Sequence, residues 1–268
     1  MPAVDFDLAL IAAPFRMQPG LRRLPDDARH LTALATGSPL HEEKRAVVQA
    51  GRSRLAVPGF DPTAALEAIA LQAQREGITV PTGVPFELAL EEDFAVLDGD
   101  SGTLPWLSVC VPSHWVPEEK LGLDFLAVHA PVADGALLRG ASRQLVQLAT
   151  SGEHWERHVW TISPSARHDQ HPGRHAREPW PDATDPQRFG DACYLRAERQ
   201  TFFPVGQGTR QAVFTIRVML APLGKVIDTS EAASRLHASL SSMSDAVLTY
   251  KGLAPARDPL LRWLEVRR

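Results

Sequence analysis

Two neighbouring stretches, ACYLRAERQTFFPV at 192–205 and RQAVFTIRVMLAPL at 210–223, constrain the fold of this chain more than any other part of it. In the second, Val213, Thr215, Arg217 and Met219 alternate with Ala212, Phe214, Ile216, Val218 and Leu220. Side chains of an extended strand point to opposite faces in turn, so this pattern predicts an antiparallel sheet with one buried face. The GQGT between the two stretches reads as their turn.

Further runs rich in β-branched and aromatic residues read as strands: FAVLD, WLSVCVPS, LDFLAVHAPV and HVWTI. Residues 61–76, DPTAALEAIALQAQRE, form the clearest helix, with Asp61 as N-cap, Pro62 in the first turn and Gly77 as the stop. Leu66, Ile69, Ala70 and Ala73 make its apolar face. GALLRGASRQLVQLATSG, ending at Gly152, is a second helix, and residues 230–251 a third, with Ser230 as cap and Gly252 as stop. Residues 1–57 suggest short helices broken at Gly37, Pro39 and Gly51, while 163–191, rich in Pro, His and Arg, read as a lid-like or solvated insert between strands. This order predicts an α+β fold in one domain, 1–268, with a helical amino-terminal segment (1–77) and a carboxy-terminal helix (230–251).

A chain of 268 residues that is 44% hydrophobic can bury a full core. Its net charge of −4 lacks the basic footprint that nucleic acid or anionic lipid demands. Asp5 and Asp7 precede the first apolar patch, the wrong polarity for a signal peptide, and no run approaches the roughly 18 apolar residues of a membrane span, so a cytoplasmic location is expected. Cys110 and Cys193 are too few for a disulfide framework or an iron–sulfur cluster, which places any such electron carrier on another polypeptide. G-x-S-x-G, Walker and G-x-G-x-x-G signatures are all missing, removing the usual supports for acyl transfer, phosphoryl transfer and dinucleotide binding.

His129 closes the run LDFLAVHAPV, with Leu126, Ala127 and Val128 before it and Pro131 after it. A neutral imidazole at the edge of an apolar pocket is a common haem ligand, and also a common buried residue bonded to a backbone carbonyl. In LRAERQT, Arg196, Glu198 and Gln200 share one strand face and Leu195, Ala197 and Arg199 the other. That polar face suits anion or ammonium binding and equally a solvated Glu–Arg pair. His168, His171 and His175 could hold zinc, but cysteine is missing around them and Pro172 interrupts them.

EEDFAVL, VPSHW followed by PEEKLG, VHAPV, ERHVW, and LRAERQT followed by AVFTIRVMLAPL resemble, in this order, the motifs of the haem-dependent oxidative N-demethylase alpha-subunit family. PFRMQPGLRRL near the start is similar to that family's amino-terminal segment, so the resemblance runs from about residue 14 to about 227. It implies a PAS-like sheet with helices around a haem b pocket. It also implies oxidation of a small secondary amine by O2, with electrons from NADPH through a separate flavin and iron–sulfur reductase. Carried onto this chain, the resemblance makes His129 the proximal iron ligand, and Arg196, Arg157 and Trp160 further haem-pocket residues. Glu198 then contacts the amine, and Arg199 a propionate or oxygen. Three departures stand out: Ala133 replaces a proline, Val159 an asparagine, and the loop after ISP is rich in His and Arg. They leave a related haem enzyme with a changed substrate, or a haem-binding PAS gas or redox sensor, as alternatives.

Overall fold

The computed structural model describes residues 6–268; Asp5, part of the amino-terminal charge argument, lies outside them. Seven strands form one antiparallel sheet, β1 (Arg22–Arg23), β2 (Arg54–Ala56), β3 (Asp93–Asp98), β4 (Trp106–Ser108), β5 (Trp155–Ser163), β6 (Tyr194–Pro204) and β7 (Gln211–Pro222). Their order across the sheet is β1-β5-β6-β7-β3-β4-β2. The protein is thus α+β, as the strand pattern predicts. The helices are α1 (Pro39–Gln49), α2 (Thr63–Arg75), α3 (Phe86–Ala89), α4 (Phe125–Val128), α5 (Ala136–Gly140) and α6 (Ser142–Ala149). They continue with α7 (Pro186–Asp191), α8 (Leu223–Val226), α9 (Ser230–Ser241), α10 (Asp245–Lys251) and α11 (Arg257–Glu265). No helix among the described residues is long and apolar enough to cross a membrane.

The long hairpin β6–β7 is the centre of the sheet, and its turn uses glycine where the backbone is left-handed, at Gly206 and Gly208. Both faces of this hairpin are buried, not one. On the first face, Phe202 and Phe214 stack at 4.6 Å and pack with Val146 and Ala149 of α6, while Ile216 and Val218 meet Leu40 and Val47 of α1. On the second face, Phe94, Val96 and Val213 take Ala65, Ile69 and Ala73 of α2. Beside them Ile162, Leu195, Ala197 and Met219 take the apolar sides of α9, α10 and α11. Burying each large aliphatic or aromatic side chain removes it from water at a gain of about 1.5–3 kcal/mol, which is why the helical layers sit on both sides.

Several local expectations need correction. LDFLAVHAPV is not a strand: the Asp124 carboxylate accepts from Ala127 N at 2.7 Å and caps α4, leaving His129 at that helix's C-terminal end. A short apolar run carries no period that separates strand from helix, and here the cap decides. The helix expected over 135–152 is broken at Ala141 into α5 and α6. The one expected over 230–251 starts under a Thr229 cap, stops at Ser242 and restarts where Ser244 accepts from Val247 N, before Gly252 ends it with φ 68°. In α2, Ala70 is exposed and Ala65, Ala68, Ile69, Gln72 and Ala73 form the buried side.

Candidate functional site

Strand register decides which predicted residues meet. Arg157 pairs with Gln200 and Val159 with Glu198, so Arg157, Glu198, Gln200 and Arg196 project from the first sheet face. Phe125 of α4 packs on that face against the cluster of Leu97, Val146, Ala149 and Phe202, carrying His129 with it. Trp160 and Arg199 lie on the second face. Trp160 is core, edge-on to Phe15 at 6.1 Å, and Arg199 binds Glu156 Oε2 at 2.7 Å and the Arg29 carbonyl at 2.7 Å.

His129 is held on two sides by one residue. Its Nδ1 lies 2.8 Å from the Phe125 carbonyl and its ring stacks on the Phe125 ring at 4.1 Å. A carbonyl oxygen only accepts, so Nδ1 carries the proton and Nε2 keeps its lone pair. Burial pulls the His129 pKa down to about 4; the Phe125 carbonyl opposes this, while Arg157 and Lys120 add to it. The imidazole is therefore neutral near pH 7. Leu126, three residues before it in the chain, is 47% exposed.

On the same sheet face, linked to this imidazole electrostatically through Arg157, is a polar cluster. Arg196 Nε donates to Ser113 Oγ at 2.7 Å, and Ser113 in turn donates to Glu198 Oε1, while Gln200 Nε2 donates to Oε2 at 2.7 Å. The direction is unambiguous because a guanidinium has no acceptor. Each Glu198 oxygen has one partner and retains lone-pair capacity for another donor. Arg157 lies within electrostatic reach of His129, Glu198 and Tyr250; burial lowers its pKa, Glu198 and Tyr250 oppose that, and its Nε is buried without a hydrogen-bond partner. Arg196 is 1% exposed and its remaining donors bind the carbonyls of Arg167 (3.2 Å), Val111 (3.3 Å) and His168 (2.8 Å). Its guanidinium ties the 163–175 segment to the strand.

That segment is anchored, in contrast to the solvated loop the sequence suggests. Ser165, Asp169, Gln170 and His171 are buried. Glu43 of α1 accepts from His168 N (3.2 Å) and Asp169 N (2.6 Å), while His171 faces Glu118 at 3.3 Å and His175 faces Asp169 at 3.1 Å. The three imidazoles thus turn to three different carboxylates.

Three further residues border the cluster. His114 adopts φ 58°, a left-handed conformation that costs a non-glycine residue energy and marks functional sites more often than plain loops. Its pKa is drawn down to about 4, first by burial and then by Arg177 and Arg196. From α10, Lys251 Nζ donates to the Trp160 carbonyl at 2.6 Å and lies 5.4 Å from the Trp160 ring centroid. Burial lowers the Lys251 pKa to about 8, against the pull of Glu198, and raises that of Tyr250, with Glu198 adding to the rise. The VPSHW motif was the available signal for Ser113 and His114; Tyr250 and Lys251 had none, because only tertiary packing brings α10 to this edge.

Residues 86–261, about two thirds of the chain, match the family described as haem-dependent oxidative N-demethylase, alpha subunit-like. The chain belongs to this family. The match takes in His129, Arg157, Glu198 and the hairpin, and leaves α1, α2 and PFRMQPGLRRL outside. The family is haem-dependent and oxidative by description, and the residues present suit such a group. A ligating histidine characteristically gives its other N–H to a backbone carbonyl, as His129 does to Phe125, and the unpartnered Arg157 Nε is the donor an anionic carboxylate side arm would take.

Proposed function

We propose that this chain is a haem b subunit of PAS-like architecture that oxidises a small amine with O2, drawing electrons from NADPH through a separate flavin and iron–sulfur reductase. The observation that carries the reading is the His129 imidazole, fixed by Phe125 in one tautomer, neutral by burial, with Nε2 as its remaining basic nitrogen. When bound, haem supplies the oxygen chemistry that no side chain can perform.

The protein's own groups supply ligation, charge and orientation. His129 Nε2 holds the iron and Arg157 neutralises a propionate. The Glu198 carboxylate, oriented by Ser113 and Gln200, accepts a hydrogen bond from the substrate ammonium and holds its N-methyl carbon in place. Arg196 acts through Ser113 and the 163–175 segment, and Trp160 and Arg199 brace the opposite sheet face. In the net reaction the C–N bond to the methyl carbon would break to give formaldehyde and the shortened amine, with one atom of O2 entering the aldehyde and the other leaving as water at the expense of two electrons from NADPH and two protons.

Absorption spectra of the purified, haem-reconstituted protein test the ligation, as isolated and after dithionite with carbon monoxide. A Soret band is expected, and H129A should abolish or shift it; an unchanged H129A spectrum refutes the assignment. With a suitable reductase and dimethylamine, formaldehyde should form, and E198Q should raise KM for the amine more than it lowers Soret intensity.

A further inference from the structure

On the second sheet face, α2 leaves a cavity of about 240 Å3 against the end of β6 and the β6–β7 turn. A buried apolar cavity of about 150 Å3 already holds benzene, so this space accommodates a small organic molecule. Its α2 wall precedes residue 86 and so lies outside the family-matched stretch, and the sheet separates it from His129, which Phe125 anchors to the first face.

The cavity has an apolar body and a polar end. Ala68, Leu71, Phe203 and Val205 line the body, and Leu71 at the mouth is 54% exposed. Its polar lining comprises Glu67, which is paired with Gln207, together with Gln72 and the electrostatically coupled His154 and Arg75. Arg75 makes no ion pair or hydrogen bond among the described residues, while three of the nearby acids are engaged; a fourth, Asp26, also lies within electrostatic reach of His154. Glu76 accepts from His30 N (2.7 Å), Leu31 N (2.9 Å) and Gln72 Nε2 (2.7 Å), Glu153 pairs with Arg23, and Glu67 with Gln207.

A buried histidine behind His154 sets which proton it shows. His30 is 1% exposed, its Nε2 lies 2.7 Å from His154 Nδ1, and its own Nδ1 has no partner. If His30 accepted from His154, its proton would sit on that orphaned Nδ1, and buried N–H groups without an acceptor are rarer than buried lone pairs without a donor. His30 therefore donates, His154 Nδ1 accepts, and His154 carries its proton on Nε2. Burial lowers both pKa values, that of His30 to about 3, so the pair is neutral at pH 7 and this tautomer persists. The polar end thus offers an imidazole N–H beside an unpaired guanidinium, a donor pair matched to an anionic acceptor.

We propose that this cavity binds a small carboxylate with a short apolar tail, the carboxylate between Arg75 and the His154 Nε2–H and the tail against Leu71 and Phe203. The site is independent of the haem reading.

Titrating sodium hexanoate into the full chain, with the histidine ring and leucine methyl resonances followed by NMR, tests it. Saturable shifts at His154 and Leu71, little change at His129, and no equivalent response to hexylamine are expected. R75Q should weaken hexanoate binding about tenfold, the loss of a charge-assisted hydrogen bond. L71W, which plugs the mouth from an exposed position, should abolish it. Absence of saturation, equal shifts with hexylamine, shifts centred on His129, or an R75Q protein that binds as tightly overturns the proposal.

Discussion

The Trp263 indole of α11 occupies the place where a side chain at Gly190 of α7 would begin, its Cγ and Cδ2 being the nearest atoms to a Cβ built there. Asp191 locks the approach, accepting from Trp263 Nε1 at 3.2 Å. Because Trp263 is 1% exposed in the core of the second sheet face, it has no free volume to retreat into. Gly190→Ala should therefore lower stability by about 1–3 kcal/mol, the cost of overpacking, read as a lower urea midpoint at unchanged m-value. An unchanged midpoint would show that α7 moves away at no cost.

Lys44 and Asp93 form a buried ion pair at 3.1 Å, both within 1% of complete burial, and Lys44 Nζ also donates to the carbonyls of Leu90 (3.0 Å) and Glu92 (2.7 Å). Lys44→Met leaves the Asp93 carboxylate with only the Cys110 and Val111 amides, and should cost about 3–5 kcal/mol. The double variant K44M/D93N should recover part of that loss. Strict additivity in the double-mutant cycle would show the two charges to be uncoupled.

Arg196→Lys keeps the charge but loses the fork that spans Ser113, Arg167, Val111 and His168. The backbone of the 163–175 segment should then open, so that trypsin can cleave after Arg167, already exposed by its side chain, and after Arg174 under native conditions. A cleavage pattern identical to the parent's would place the anchoring of that segment on Glu43 instead.

Glu92 and His30 should give opposite pH slopes. Burial lifts the Glu92 carboxyl to about 7 from 4.5, so between those values the folded state holds a proton the unfolded state has lost, and stability falls as pH rises. Burial lowers His30 from 6.5 to about 3, so the unfolded state takes up the proton first and stability falls as pH drops below 6.5. Where the windows overlap, from 4.5 to 6.5, the two cancel in part. Removing the carboxyl with Glu92→Gln should leave the His30 slope uncompensated. The stability difference between E92Q and parent should then grow by up to about 1.4 kcal/mol per pH unit through that window and level off above pH 7. Chemical denaturation at pH 5, 6, 7 and 8 measures it, and a pH-independent difference would contradict it.

Legibility of the chain followed the range of the interaction that decides each element. In β6 and β7 the alternation of side chains was enough, and it also separated Glu198 from Arg199 correctly onto two faces. The number of buried faces was not legible, because Thr215 and Arg217 are polar by type and yet are packed or paired, Arg217 with Glu91 at 2.7 Å. Around His129 the sequence offered the residue but not its backbone: Asp124 made the helix, and no period in LDFLAVHAPV announces a single capped turn. The histidines of 163–175 look like a solvated tract until Glu43, over a hundred residues away in the chain, is placed beneath them. Arg157 was legible only through resemblance, since nothing local says that its Nε is left without a partner.

Beyond Glu156 the outer edge of β5 has no strand beside it among the described residues, and Lys251 of α10 reaches it with its Nζ on the Trp160 carbonyl. A bare edge is a template on which another chain can add a strand, and a cation fixed on its acceptor blocks that growth. Lys251 thus occupies one acceptor that an added strand would need. Shortening it would leave that carbonyl without its side-chain donor.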